Sequence, residues 1–412
     1  MRVLILSQYY KPEPIPKPVE LAAELARQGH TVYVLTGLPN YPAGTLYPGF
    51  RLRLVQHEVL DGIPVVRTFE YPYHGQRVLG RLLNYGSFML SAPLGSLFLP
   101  RCDVGYVWHP PLSVGVAAWM VRLLRGVPFV YDVQDIWPES AVASGLLRNG
   151  WLVSGMSRLE RFVYRQASHV LVLTDDARSN LIAKGVPPDK VSMLPQWAEE
   201  DLFIGGDPQA ATGIREEFGW GERFVVLFAG NLGLVQGLET VVRAAAELRS
   251  DSSVRIVLVG DGSDKARLEQ TAAKMQVGAN LQFVDRQPFE RMPAFLAAAD
   301  ALLVHLKNSA LNEFVIPSKT FAYMAAARPI LMAMSGAGAK LVEQADAGVI
   351  VAPEQPQQLA AAIRSLASQP IAAREAMGQR SRAYLLEHHS KSKVMKSYFE
   401  VLEKAARAGS RA

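Results

Sequence analysis

Three short strings in the second half of the chain carry residue types suited to holding an anion. They are Gly230-Asn231-Leu232-Gly233 ahead of Gln236-Gly237, then Gly260-Asp261-Gly262, then Pro317-Ser318-Lys319. The first two follow apolar runs that read as strands, and the third opens a helical pattern; ligands of open parallel sheets sit beyond the carboxyl ends of the strands. Glycine lets a phosphate approach the main chain, and free amides at a helix start bind anions. Lys319 adds a full positive charge at such a start. That placement opposes the helix dipole, so an anionic ligand explains it better than local stability does. A single glycine-rich turn reads as a structural turn; three in one half point to a nucleoside diphosphate.

These strings need strands to carry them, and the chain supplies two series. In the first half RVLILS, TVYVLT, IPVVRTF, DVGYVW, VPFVYDV and SHVLVLT are apolar runs separated by helical patterns such as Val19–Gln28 and Ser113–Leu124. In the second half RFVVLFAG, VRIVLVGDG, NLQFVD, DALLVHL, RPILMA and AGVIVA repeat the scheme. Continuous apolar runs indicate strands buried on both faces, and strand–helix alternation implies a parallel, doubly wound sheet. The expected fold class is therefore α/β, with two Rossmann-like parallel-sheet domains. Residues 1–195 form the first and 223–385 the second. The Gly-, Pro- and acid-rich segment 196–222 reads as a hinge, with the ligand cleft between the domains. A basic helical tail, 386–412, is expected to pack back towards the first domain.

Composition removes several function classes. The 412 residues are 49% hydrophobic and 20% charged, which excludes disorder and fibrous repeats. The net charge of +5 is spread over both halves, without the basic stripe and interleaved aromatics of a nucleic-acid binder. Attraction to an anionic membrane surface stays open. Cys102 is the only cysteine, and no His spacing suggests a zinc site. The amino-terminal apolar run is too short for a signal peptide, so a cytoplasmic protein is expected. Residues 82–99 carry no charge, but Asn84, Gly86, Pro93 and Gly95 interrupt them; a buried or interfacial helix pair is favoured over a membrane span. His109 after the strand DVGYVW, and the loop residue Trp137, read equally well as packing residues or as sugar contacts.

Six strings together resemble a known family: TGLPNYPAGTLYPGF, YDVQDIWPES, LPQWAEEDLF, FAGNLGLVQGLETVV, VGDGSDKARLE and VIPSKTFAYMAAARPIL. They are similar to retaining family-4 glycosyltransferases of the GT-B fold, most of all to the exopolysaccharide branch that includes colanic-acid and heterocyst-envelope transferases. The resemblance implies two Rossmann-like domains facing each other across a cleft. On the donor side it implies that Gly230, Asn231, Gly233, Gln236, Gly237, Pro317, Ser318 and Lys319 line a diphosphate. Gly260 and Gly262 would lie beneath the nucleotide, and Arg286 and Gln287 beside its base. Glu313 would approach the donor sugar. Tyr9, Tyr10, Pro14, Tyr41 and the catalytic Asp135 would face the acceptor and the transferring sugar, with His109 and Trp137 nearby.

Departures from the family pattern are visible too. Asn231 and Gln236 stand where an Arg and a Lys are usual, although the exopolysaccharide branch shares this. Ala322 replaces a Glu and Ala327 a Gly, and Glu313 is offset by one position. Lys319 is thereby left as the main charged donor contact. The resemblance implies transfer of a sugar from a nucleotide diphosphate, UDP first, to a lipid-linked saccharide. No metal and no further cofactor are expected, and peripheral attachment to the inner face of the cytoplasmic membrane is left open. The competing readings are a UDP-sugar epimerase or hydrolase on the same fold, and a catalytically silent nucleotide-sugar binder.

Overall fold

The apolar runs fold as the strands of two sheets, one in each of two units. The computed structural model describes residues 1–75, 77–143 and 150–409. One unit comprises Met1–Pro195 and the chain from Met395 onward; the other is Gln196–Val394.

The first unit holds eight strands: β1 (Arg2–Leu6), β2 (Thr31–Gly37), β3 (Val55–Leu60), β4 (Ile63–Thr68), β5 (Val104–His109), β6 (Phe129–Val133), β7 (His169–Val172) and β8 (Val191–Met193). Their order is β3-β4-β2-β1-β5-β6-β7-β8, so it reverses between β1 and β5. Every pair is parallel except β3 and β4. That hairpin turns at Asp61-Gly62, with φ of 50° and 78°, the left-handed pair that a two-residue turn between twisted strands requires. β3 was absent from the strands expected from sequence. It lies at the sheet edge with none of its residues buried, so it lacks the continuous apolar run that marks the others.

The second unit holds β9 (Phe224–Ala229), β10 (Val254–Val259), β11 (Leu281–Val284), β12 (Ala301–His305), β13 (Ile330–Ala333) and β14 (Gly348–Ile350). All pairs are parallel, in the order β11-β10-β9-β12-β13-β14. This is the doubly wound order, and its direction of winding reverses between β9 and β12. Along β9, Val225 and Leu227 enter the core on one face while Val226 and Phe228 enter the core on the other. Both faces are dry, which is why the run is apolar without alternation.

Two stretches differ from expectation. The segment 196–222 forms the helices Glu200–Phe203 and Pro208–Glu217 and belongs to the second unit. Phe203, Ile214 and Trp220 are buried in that unit's core. Its charged residues, which suggested a hinge, serve its surface: Asp207 caps the second helix and Glu217 pairs with Arg291. The expected tail, 386–412, takes in the end of one helix and, after a break, another helix. Pro370 precedes the helix Ile371–His388, and a break at His389-Ser390 separates it from the helix Lys391–Gly409. The residues of that last helix from Met395 onward join the first unit, where the Tyr398 hydroxyl donates to Asp132 at 3.2 Å.

Ala327 closes the helix Lys319–Ala325 with φ at 51°, a left-handed conformation that favours glycine. Ala327→Gly is therefore expected to stabilise the second unit by about 0.5–1 kcal/mol, because relief of the Cβ strain exceeds the added freedom of the unfolded chain. A higher urea midpoint with an unchanged slope would show it.

Candidate functional site

Where the winding reverses in the second unit, the loop Gly230–Gly237 leaves β9 and is clasped from two sides. On one side Leu232 N donates to Asp261 O at 2.8 Å, and Asp264 N donates to Leu232 O at 2.9 Å, joining it to the turn after β10. The fit is tight. A Cβ on Gly260 would lie 1.9 Å from Gly230 O, and one on Gly262 would lie 2.5 Å from Leu232 O. On the other side Lys307 N donates to Val235 O at 3.0 Å, and the His305 Nδ1 hydrogen bonds Gln236 O at 2.6 Å. Gly237 turns with φ at 63° against Lys307 and His305. The loop is thus a preformed glycine-lined shelf rather than a flexible strap.

Lys319 stands against this shelf. Its Nζ lies 3.4 Å from the centroid of the Phe228 ring, and a Cβ on Gly230 would come within 2.9 Å of that Nζ. Glycine at 230 is what leaves room for the ammonium. The Nζ is buried and makes no hydrogen bond, and desolvation lowers its pKa to about 7. Contact with one aromatic face replaces little of the lost hydration. A buried cation with no anionic partner is costly, and it persists beside main-chain glycines suited to an anion. The same helix also sets the shelf. Tyr323, one turn on from Lys319, accepts a hydrogen bond from Ala229 N at 2.9 Å and donates to Ala229 O at 3.3 Å. Lys319 and the end of β9 are therefore held by one rigid element.

The first unit builds a different cluster beyond β1, β2 and β4. One oxygen of Glu70 accepts from Gln8 Nε2 at 2.8 Å, Asn40 Nδ2 at 2.9 Å and Asn84 Nδ2 at 2.7 Å. Glu13 accepts from the backbone N–H groups of Tyr10, Asn40 and Tyr41, which fastens the β1 loop to the β2 loop. Burial raises both carboxyls, Glu13 to about 7 and Glu70 to about 8, although these donors favour the charged form. Tyr9, Tyr41 and His74 pack above them, with the Tyr9 hydroxyl 3.3 Å from His74 Nε2. Among the described residues, no three His, Cys, Asp or Glu side chains are placed to hold a metal ion.

Comparison with known proteins agrees with this division. The family described as glycosyl transferase 4-like domain matches residues 18–197, and glycosyl transferases group 1 matches residues 212–384. The putative colanic acid biosynthesis glycosyl transferase WcaI of Escherichia coli is 30% identical over 337 residues, covering 77% of this chain and 80% of that one. The chain belongs to the family-4 glycosyltransferases of the GT-B fold. The probable glycosyltransferase WbjE of Pseudomonas aeruginosa is 27% identical over 300 residues, 71% of this chain and 73% of that one. Among solved structures, Anabaena Alr3699/HepE in complex with UDP matches with a TM-score of 0.74 at 17% identity. That match covers 98% of this chain and 100% of the other.

Within this glycosyltransferase the donor-side residues read from sequence divide into two groups. Gly230, Gly233, Gln236, Gly237 and Lys319 lie together in or against the shelf, with Asn231 exposed on its edge. Gly260 and Gly262 buttress the shelf from below. The helix start after Pro317 offers less than expected, since Thr320 N already donates to Pro317 O and Phe321 N to Ser318 O. Gln287 is engaged by Arg291 at 2.7 Å, while Arg286 is exposed beyond β11. Glu313 pairs with Lys340 at 3.2 Å.

On the other unit Asp135 accepts from Ser140, and burial raises its pKa. Pro14 is exposed and Tyr41 partly so. Tyr9 is 5% exposed, while Tyr10 and His109, each 2% exposed, are packed inside. His109, pushed down to about 3 by burial, stays neutral near pH 7 and is a core histidine; surface contact does not fit it or Tyr10. Trp137 is partly buried, with its Nε1 enclosed. The sequence reading missed Tyr323 and the amide-bound Glu70, which act through contacts between distant segments.

The raised carboxyls predict a pH dependence. The folded first unit keeps the Glu70 proton up to about pH 8, whereas an unfolded Glu loses it near 4.5. Unfolding therefore releases a proton between those values, so stability falls as pH rises through that window. Glu70→Gln keeps the accepting oxygen and removes the titration. The variant is expected to show a shallower decline in melting temperature between pH 5 and 8 than the parent; an identical slope would exclude the assignment.

Proposed function

We propose that this glycosyltransferase moves a sugar from a nucleoside diphosphate donor, UDP-sugar first, to a lipid-linked saccharide, with retention and without a metal ion. The observation that carries the donor side is the unpartnered Lys319 ammonium against the glycine shelf. Breaking a glycosyl–phosphate bond leaves negative charge on the diphosphate, and a preorganised cation with glycine-exposed main chain stabilises that charge as it develops. Release of the diphosphate would restore a lysine without a partner, so the site is suited to an anion that is held and then let go. UDP as the nucleotide is supported by the structural likeness to Anabaena Alr3699/HepE, solved with UDP and with UDP-glucose.

In the step envisaged, the bond from the anomeric carbon to the phosphate oxygen breaks as the acceptor hydroxyl oxygen bonds to that carbon on the same face. The acceptor proton passes to the departing phosphate oxygen. The bound diphosphate would hold Lys319 in its charged form throughout the step, although desolvation lowers its pKa to about 7 in the free protein. Asp135 is the residue proposed to orient the transferring sugar. An exopolysaccharide acceptor is supported by the likeness to the colanic acid transferase.

The test is turnover of UDP- and GDP-sugars with membrane extract as acceptor. Labelled sugar appearing in the lipid fraction, with release of UDP, is expected. Epimerised free nucleotide sugar would favour the epimerase reading. Tight UDP binding without turnover would favour a silent binder.

A further inference from the structure

We propose that the first unit carries a bilayer-docking face, formed by the outward stripe of the helix Val78–Gly95 and the turn that follows it. The partner is an anionic lipid surface.

The helix is apolar on both sides. Asn84, Phe88, Ala92 and Gly95 recur at helical spacing and are buried against the unit. On the opposite side Leu79, Leu83, Leu90 and Leu94 form a second stripe with the same spacing, and it faces outward. Leu79 is 69% exposed, Leu90 58% and Leu94 62%. A surface helix normally presents charge on that face; between Leu82 and Leu99 there is none. The rotation of the helix is fixed, because Asn84 Nδ2 donates to Glu70 Oε1 and to Tyr71 O, each at 2.7 Å. The leucines therefore cannot roll inward without breaking buried hydrogen bonds.

The patch continues past the helix. Leu97 and Phe98 are also exposed, and the Phe98 ring meets the His57 ring edge-on at 5.9 Å, which joins the stripe to the edge strand β3. Contiguous apolar surface of this kind marks an interaction site. The charges around it select the partner. Arg77 and Arg101 flank the stripe, Arg51 and Arg53 precede β3, and no Asp or Glu occurs between Glu70 and Asp103. Arginines rimming an apolar face suit an anionic headgroup layer above acyl chains. A second copy of the chain would instead bring arginine against arginine. Spanning is a different matter: among the described residues no helix is long and apolar enough to cross a membrane.

This deepens the reading of a lipid-linked acceptor, and it rests on that reading only for the purpose of docking. The test uses the full chain with vesicles of phosphatidylcholine alone or mixed with phosphatidylglycerol, read by co-sedimentation. Binding is expected to be at least about tenfold stronger on the mixed vesicles. The triple variant Leu79→Ser, Leu90→Ser, Leu94→Ser should lose roughly tenfold or more of it. Arg77→Gln with Arg101→Gln should weaken binding to mixed vesicles only. UDP calorimetry on each variant reports folding and the donor site separately, so failure of the donor reading would leave the vesicle result standing. Absence of vesicle binding, or binding indifferent to the triple variant, would overturn the proposal. So would self-association by light scattering that the triple variant abolishes, which would assign the face to a second copy.

Discussion

Lys319→Met should melt above the parent without ligand and yet bind UDP roughly ten- to a hundredfold more weakly. Both expectations come from the same desolvated ammonium. In the free protein its pKa of about 7 lies well below the 10.5 of an exposed lysine. The unfolded chain therefore holds a proton that the folded chain resists between those values, and stability rises with pH across that window. At and below pH 7 the cost is fully expressed. Contact with the Phe228 face offsets part of it, by about 1–2 kcal/mol, which leaves a net penalty on the order of 3–4 kcal/mol. Methionine fills similar volume and carries no charge, so that penalty disappears.

With UDP bound the balance reverses. A buried charge-assisted contact contributes about 1.5–3 kcal/mol, and the variant lacks it. The parent should also take up a proton on binding above pH 7, so its affinity falls as pH rises, whereas Lys319→Met shows no such dependence. Calorimetry in buffers of different ionisation enthalpy reads the proton directly. An unchanged dissociation constant would remove Lys319 from the site; a lowered melting temperature would contradict the desolvation argument.

Gly260→Ala is expected to cost about 2–5 kcal/mol and to impair UDP binding in whatever protein folds. Two effects add. The residue sits at φ 144°, which an L side chain rarely adopts, and its Cβ would lie 1.9 Å from Gly230 O. The first costs about 1–2 kcal/mol; overpacking against rigid backbone adds about 1–3 kcal/mol more. Relief would require the turn after β10 to move away from the shelf, breaking the Leu232–Asp261 and Asp264–Leu232 hydrogen bonds. Gly29→Ala is the control. Its φ of 82° is also left-handed, but nothing lies within 4 Å of its Cβ position, so only the smaller backbone cost applies. Denaturant midpoints of the two variants separate strain from crowding, and equal losses would refute the close approach.

The two sheets were legible from the chain because a strand buried on both faces must be apolar throughout, as β9 and β13 are. The signal failed where burial is one-sided or interrupted. β3, at most half-buried at any position, shows no run, and the Asp61-Gly62 turn is its one local signal. The stretch 196–222 looked like a linker because its polar residues outnumber Phe203, Ile214 and Trp220, although those three anchor it in the core.

The site divides in the same way. Glycines after strands and a lysine at a helix start are local signals, so the shelf and Lys319 could be named from residue types alone. Ala327 was also recognisable as standing in a glycine's place, and its φ of 51° bears that out. Roles that depend on which distant segments meet were not visible. Glu313 is paired with Lys340, and Gln287 with Arg291. Tyr323 clamps the end of β9 across 94 residues of sequence.

By itself, the sequence determined the α/β class, the glycine shelf and the candidate cation, because periodicity and backbone freedom are properties of neighbouring residues. The tertiary structure decided that the cation has no partner and that the shelf is clasped on both sides. It also turned the uncharged stretch 82–99 into a helix with one leucine face outward. Those are matters of burial and of contact between remote segments, and they exist only once the chain has folded.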